Sequence, residues 1–165
     1  MNIFKAMKPD IVCQSVSLIP LNKLKEDGKK CFFLDFDNTL GPDRATSPDD
    51  YSFACVKKIQ DAGFSCCLVS NAKSSRSAAI AEALNIPCVT YAQKPKTDGV
   101  KRAFALMNVK PEEVVMVGDQ IFTDVIAGKL AGCYTIMVEK YLPHEVWYVK
   151  IKRPFEVIVR TFGRF

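Results

Sequence analysis

The sequence predicts a three-layer α/β fold, with a mainly parallel five-stranded sheet covered by helices on both faces. Two observations carry that prediction. Short apolar runs of strand character alternate with helical segments of about ten residues, the pattern of right-handed β-α-β crossovers. Four of those runs end in acids, hydroxyls, amides or a lysine, as buried strands do where they surface at the carboxyl edge of a sheet.

Residues 1–27 read as a lead-in segment. Ile11 to Leu21 has alternating apolar positions and Pro20, and Leu21 and Leu24 begin a short helix stopped by Gly28. The first strand, from Cys31, surfaces at Asp35. Gly41-Pro42 and Thr46-Ser47-Pro48 mark a loop, with Ser47 expected as N-cap and Pro48 as first helical residue. Phe53, Val56 and Ile59 are expected on the apolar face of that helix, and Gly63 closes it. Phe64 to Val69 is the second strand, ending at Ser70-Asn71. A helix from about Ser74 turns Ile80, Ala83 and Leu84 inward and stops at Asn85. Pro87 to Tyr91 forms a weaker third strand before Ala92-Gln93-Lys94-Pro95-Lys96, and Val100, Phe104 and Met107 stripe the next helix. Glu112 to Val117 is the fourth strand, ending at Gly118-Asp119. A last helix closes at Gly132 before the fifth strand, Tyr134 to Val138.

Length and composition fit one domain over residues 1–165, with 48% apolar residues for a core and 25% charged residues arguing against disorder. No apolar run reaches the roughly 18 residues that span a bilayer, and the N-terminus lacks a signal-peptide core, so the expected location is cytoplasmic. The seven cysteines form no C-x-x-C pair and read as reduced core residues; Cys66 and Cys67, being adjacent, should face opposite sides of a strand. His144 is the only histidine, which argues against a histidine-based zinc site and reads as a surface residue beside Glu145.

The chemistry-bearing residues follow the strands in order. Asp35 and Asp37 come after the first strand, Ser70 and Asn71 after the second, Lys94 after the third, and Asp119 with Asp124 after the fourth. Acids two apart repel, and a hard cation such as Mg2+ is the usual remedy. By itself the first exit is compatible with a receiver domain, a nuclease-like metal site or a dehalogenase. The whole set suits phosphoryl transfer. Asp35 is the expected nucleophile and Asp37 the proton donor and acceptor. Ser70 is expected on a phosphoryl oxygen, with Thr39 and Asn71 also assigned to the phosphate, and Lys94 counters charge on the transferring group. Asp35 and Asp119 are expected to hold Mg2+, and Asp124 to orient a metal-bound water or Lys94.

Asp35-Phe36-Asp37-Asn38-Thr39 matches the D-x-D-x-T signature of the haloacid-dehalogenase (HAD) superfamily phosphatases. Ser70, Lys94 and Gly118-Asp119-Gln120-Ile121-Phe122-Thr123-Asp124 match that superfamily's later motifs in order. The chain resembles more narrowly the small bacterial subclass IIIA phosphatases and their relatives, the mitochondrial phosphatidylglycerophosphate phosphatases. Asp-Asn-Thr-Leu, Ala-Gln-Lys-Pro and Gly-Asp-Gln-x-x-Thr-Asp carry that match, which covers the chain from about Pro9 to the tail. The resemblance implies a Rossmann-like fold, a covalent aspartyl-phosphate on Asp35, Asp37 as acid and base, and a Mg2+ ligand from the Asp37 backbone carbonyl. Lys129 departs from the asparagine frequent in this stretch, and is expected to touch specificity only. Motif order excludes a receiver, whose acidic pair precedes its phosphoacceptor and whose lysine comes last. A dehalogenase would not need Asp37.

The gaps between motifs are too short for a cap domain, so the mouth should be open to a phosphate on a bulky group. From Lys140 to Phe165 six basic residues face two acids, an excess of four in a chain of net charge +5. Phe155, Ile158, Val159 and Phe162 share a helical face there. Such a tail suits either the core or an anionic membrane surface. No nucleic-acid motif is evident, and the oligomeric state is left open. The sequence therefore points to a phosphorylated substrate, with an anionic phospholipid at the inner face of the membrane as the leading candidate. Alternatives are a small sugar or nucleotide phosphate, or a non-catalytic binding module on the same fold.

Overall fold

Cys31–Leu34 is buried along its whole length, which requires sheet neighbours on both sides and helices on both faces. The computed structural model describes residues 3–72 and 74–141, and supplies both. The strands are β1 (Ile11–Cys13), β2 (Cys31–Leu34), β3 (Ser65–Val69), β4 (Cys88–Val89), β5 (Val114–Gly118) and β6 (Tyr134–Val138). The helices are α1 (Ile3–Ala6), α2 (Leu21–Glu26), α3 (Asp50–Asp61), α4 (Ser74–Ala83), α5 (Asp98–Met107) and α6 (Ile126–Ala131). The sheet order is β1-β6-β5-β2-β3-β4, and every pairing is parallel.

Successive residues of each strand feed opposite cores, as the two-residue side-chain period requires. Phe32, Leu34, Cys66, Leu68, Val115 and Val117 pack with residues of α2, α3 and α4. Phe33, Cys67, Val69, Val114 and Met116 pack with Val100 and Ala103 of α5 and Ala127 of α6. Cys66 and Cys67 are thus on opposite faces, as expected. Edge-to-face packing of Phe32 on Phe64, at 5.1 Å between centroids, joins β2 to the residue that enters β3.

The sheet has six strands where five were expected. The added strand, β1, lies in the lead-in: Ile11 pairs with Ile136 and Cys13 with Val138. It is three residues long and has a neighbour on one side only, so periodicity cannot reveal it; pairing with β6 defines it. The cap of α3 also differs from expectation. Asp49, not Ser47, is the N-cap, because its carboxylate accepts from the Ser52 N–H at 2.9 Å while the Ser52 hydroxyl receives the Asp49 N–H. That shifts the buried stripe to Ser52, Cys55, Val56 and Ile59, and leaves Phe53 exposed. On α4, Ala81 rather than Ala83 joins Ile80 and Leu84 in the core.

One helix, α3, separates the first motif loop from β3, and one, α4, separates β3 from β4. There is no cap domain among the described residues. No helix in the described residues is long and apolar enough to cross a membrane. Of the basic tail over residues 140–165, everything beyond Tyr141 lies outside the described residues, His144 included.

Candidate active site

Strand order reverses between β2 and β5: the chain runs outward through β3 and β4, then returns to the other side of β2. Ligand sites of open parallel sheets form at such a switch, beyond the carboxyl ends of the strands. Asp35 lies there because its N–H continues the ladder to the Val117 carbonyl at 3.0 Å. With Leu34 opposite both Val117 and Leu68, Asp119 and Ser70 emerge on either side of the β2 exit.

The centre of the site is the Lys94 ammonium. It donates to Asp35 Oδ1 at 2.7 Å, to Asp124 Oδ1 at 2.6 Å and to the Val69 carbonyl at 2.7 Å. A buried ammonium has three protons to place, and all three have an acceptor. Asn71 fixes the backbone beneath it: its Oδ1 accepts the Lys94 N–H at 2.7 Å, and its Nδ2 donates to the Lys94 carbonyl at 2.9 Å. The amide expected on the phosphate thus positions Lys94 through both of its ends. Ser70 Oγ accepts the Ala72 N–H at 3.1 Å, which turns the hydroxyl at the strand end while its own proton remains able to donate.

Asp35, Asp119 and Asp124 each offer an oxygen within 4.8 Å of the others, and all are buried. Burial pushes the Asp35 carboxyl up to about 7; Lys94 opposes the shift, and Asp124 and Asp37 add to it. Burial alone would lower Lys94, but the Asp124 and Asp35 carboxylates outweigh it and hold the ammonium charged. With all three carboxylates ionised against one ammonium, the buried cluster carries an excess of negative charge. A divalent cation with oxygen ligands would fit that donor set.

Asp124 reaches the cluster through a π-helical turn over Ile121–Val125. Its wider winding appears as the Val125 N–H bonding to the Gln120 carbonyl at 3.3 Å, five residues back. The Asp124 carboxyl then packs directly over Gly118, where an added Cβ would overlap it. Glycine is required at that strand end by close approach.

The loop after β2 turns back sharply. Asn38 adopts φ +59°, and the Phe36 carbonyl accepts the N–H groups of Thr39, Leu40 and Gly41. Asp37 stands outside the metal-like cluster. Its Oδ1 accepts from Arg76 Nη1 at 2.7 Å and its Oδ2 from Arg76 Nη2 at 2.5 Å, while the Arg44 N–H adds a bond to Oδ1 at 3.1 Å. Thr39 Oγ1 is buried with no hydrogen-bond partner among the described residues, available to a ligand group. The Ser52 hydroxyl ties the loop to α3 through the Leu40 carbonyl at 2.7 Å. Tyr141 closes the loop from the end of β6: its N–H reaches the Asn38 carbonyl at 2.7 Å and its hydroxyl the Asp49 carboxylate at 2.8 Å. Its ring stacks on Tyr51 at 4.6 Å.

The structure thus brings Asp35, Ser70, Lys94, Asp119 and Asp124 to one sheet edge, with Asp37 and Thr39 on the adjoining loop. Sequence reasoning missed Arg76 and Tyr141. A charged residue in the first turn of a helix resembles any solvated position, and only the fold shows that this turn faces the β2 exit. Lys129 proves remote from the site. It pairs with Asp10, whose other carboxylate oxygen accepts from the Thr135 N–H at 2.7 Å near the start of β6, the opposite end of the sheet. It fastens α6 to the lead-in, and its expected bearing on specificity has no structural support.

The family profile for haloacid dehalogenase-like hydrolases matches residues 21–132, which contain every motif residue named above. The chain is 30% identical over 152 residues to the probable phosphatase YqeG of Bacillus subtilis, covering 92% of this chain and 88% of that one. Its fold is similar to the cobalt-bound deoxy-D-mannose-octulosonate 8-phosphate phosphatase YrbI of Haemophilus influenzae, with a TM-score of 0.55, 16% identity, and 83% and 90% of the two chains covered. A putative HAD subfamily IIIA hydrolase of Legionella pneumophila aligns at a TM-score of 0.50 with 14% identity, over 88% and 97% of the chains. The motif order, the switch-point cluster and the family match over most of its length agree: this chain belongs to the haloacid dehalogenase-like hydrolases.

Proposed function

We propose that the chain is a phosphomonoester hydrolase acting through an aspartyl-phosphate on Asp35, with an anionic phospholipid phosphate such as phosphatidylglycerophosphate as substrate. The observation that carries the chemistry is the shared ammonium: Lys94 engages Asp35 and Asp124 in one buried cluster at the β2–β5 switch. Asp35 attacks phosphorus, forming a bond from its carboxylate oxygen as the bond to the alcohol oxygen breaks. Asp37 delivers a proton to the departing alcohol. It then takes one from the water that attacks the acyl phosphate, which regenerates Asp35 and releases inorganic phosphate. Ser70 donates its hydroxyl to a phosphoryl oxygen, and Lys94 balances charge on the phosphoryl group while it is in transit. Asp35, Asp119 and the Asp37 backbone carbonyl would hold Mg2+, with Asp124 orienting Lys94. The ion would neutralise charge so that an anionic nucleophile can approach an anionic phosphate.

Two features support the phospholipid. Among the described residues the mouth carries no cap, so a phosphate on a large or surface-bound group can enter. The sequence beyond Tyr141 is basic and aromatic, suited to an anionic bilayer surface. The test is a phosphatase screen in which phosphatidylglycerophosphate in mixed micelles stands beside soluble sugar, nucleotide and aryl phosphates, with and without EDTA. The expected result is Mg2+-restored release of phosphate, fastest from the lipid, and its loss in Asp35→Asn with the fold retained. Preference for a small sugar or nucleotide phosphate would reject the lipid. Unchanged turnover in Asp35→Asn would reject the nucleophile.

A further inference from the structure

We infer that Arg76 forms an anion subsite for the alcohol portion of the substrate, selecting phosphomonoesters that carry a second negative group close to the scissile phosphate. The inference rests on the phosphatase reading and narrows its substrate class.

Asp37 must reach the oxygen that leaves phosphorus, so whatever touches Asp37 from the solvent side stands beside the departing alcohol. Arg76 does so with both ends of its guanidinium fork, at 2.7 and 2.5 Å, and its side chain is 22% exposed. A third contact, from Nη1 to the Ala45 carbonyl at 3.1 Å, anchors the fork to the loop on the far side of the mouth. The guanidinium therefore bridges α4 and the loop that follows β2, beside the Asp37 carboxylate.

Both oxygens of Asp37 accept from the fork, and Oδ2, with one such bond, keeps a lone pair for the proton it passes to the leaving oxygen. Those two bonds and the one to Ala45 use three of the five guanidinium donors. An alcohol held by Asp37 therefore lies beside a fixed positive charge that can pair with a further acceptor. Planar, paired donors match a carboxylate or phosphate far better than a hydroxyl, and charge-assisted pairs of this kind are roughly twice as strong as neutral ones. A substrate with a second anion supplies that acceptor; one with a neutral alcohol leaves the charge to water. Where the described residues form no cap, this pairing gives selectivity without enclosure.

The experiment compares glycerol 3-phosphate with glycerophosphoglycerol phosphate, soluble monoesters with similar leaving alcohols that differ by one phosphodiester. Both need Asp37 equally, so a defect in Asp37 alone cancels in the ratio of their kcat/KM values. Wild type is expected to prefer the phosphodiester-bearing substrate by about tenfold or more, since tenfold corresponds to 1.4 kcal/mol and a charge-assisted pair contributes that much. Arg76→Gln should abolish the preference, mainly through KM, with its fold checked by circular dichroism. Arg76→Lys, which keeps the charge without the fork, should retain part of it, and it carries the test if the glutamine variant does not fold. A wild type without preference, or variants that slow both substrates equally, would overturn the inference. So would failure to hydrolyse either glycerol substrate while p-nitrophenyl phosphate is turned over. Inactivity toward all three substrates would instead reject the phosphatase reading itself.

Discussion

Lys94 and Asp124 form the most buried ion pair among the described residues, 2.6 Å apart with each side chain 1% exposed. The same ammonium reaches Asp35, so one positive charge serves a carboxylate from the β2 exit and one from the π turn. Removing it leaves two buried acids facing each other. Lys94→Met should therefore destabilise the metal-free chain by about 3–5 kcal/mol, the range for orphaning a buried charge. It should also reduce kcat by about 100- to 1000-fold through lost transition-state stabilisation. Denaturant unfolding with and without Mg2+ checks the first effect, and added Mg2+ should recover part of the stability. A variant as stable as wild type in EDTA would refute the charge balance argued for this cluster.

The four motif residues Asp35, Ser70, Lys94 and Asp119 were legible because each sits at a strand exit, and a parallel sheet places all its exits on one edge. The hold of Asn71 on the Lys94 backbone was not legible. An amide after a strand suits a phosphate or a backbone equally, and only the approach of residue 94 decides between them. Arg76 was hidden for a related reason: its partner, Asp37, is 39 residues earlier. The strand β1 was obscured by length, since three half-exposed residues carry no periodic signal. Asp124 was identified by its motif, but the π turn and the bare Gly118 that let it reach Lys94 follow from packing.

The raised Asp35 carboxyl gives a pH signature. Burial favours its neutral form, so in the metal-free chain its contribution to stability is greatest below the ordinary carboxylate range and is lost as pH rises through about 7. Asp35→Asn removes that titration. Its melting temperature relative to wild type should thus climb between pH 5 and pH 8 in EDTA. With saturating Mg2+ the order should reverse, because the ion binds the ionised carboxylate. Calorimetric Mg2+ binding should accordingly release protons below pH 7 and few above it. A difference between the two proteins that does not vary with pH would contradict the buried, raised carboxyl.

The cysteines should be inert. Burial raises Cys66, Cys67 and Cys133 to about 12, and Cys88 to about 11, so little thiolate exists near neutrality. Only Cys13 and Cys88 are partly exposed. Ellman's reagent at pH 8 is expected to label no more than those two promptly in the native chain, and all seven after unfolding. Prompt labelling of four or more would mean that the strand faces are less tightly covered than the structure has them.

Gly118 offers the most local test of how the π turn arms the site. An alanine methyl there would occupy the space of the Asp124 carboxyl, and pairing with Met137, next to Val117 opposite Leu34, holds Gly118 in the sheet. The strain must be relieved by moving Asp124, which would withdraw an acceptor from Lys94. Overpacking of this kind costs about 1–3 kcal/mol, so Gly118→Ala should remain folded at room temperature. Its kcat should fall by about tenfold or more, since Lys94 would lose one of its two carboxylate partners. Asp124→Asn tested alone and together with Gly118→Ala decides the route. If the glycine acts through Asp124, the double variant should be no slower than the slower single variant, the non-additivity expected of groups that work as a unit. Losses that simply multiply would place the effect of the methyl elsewhere.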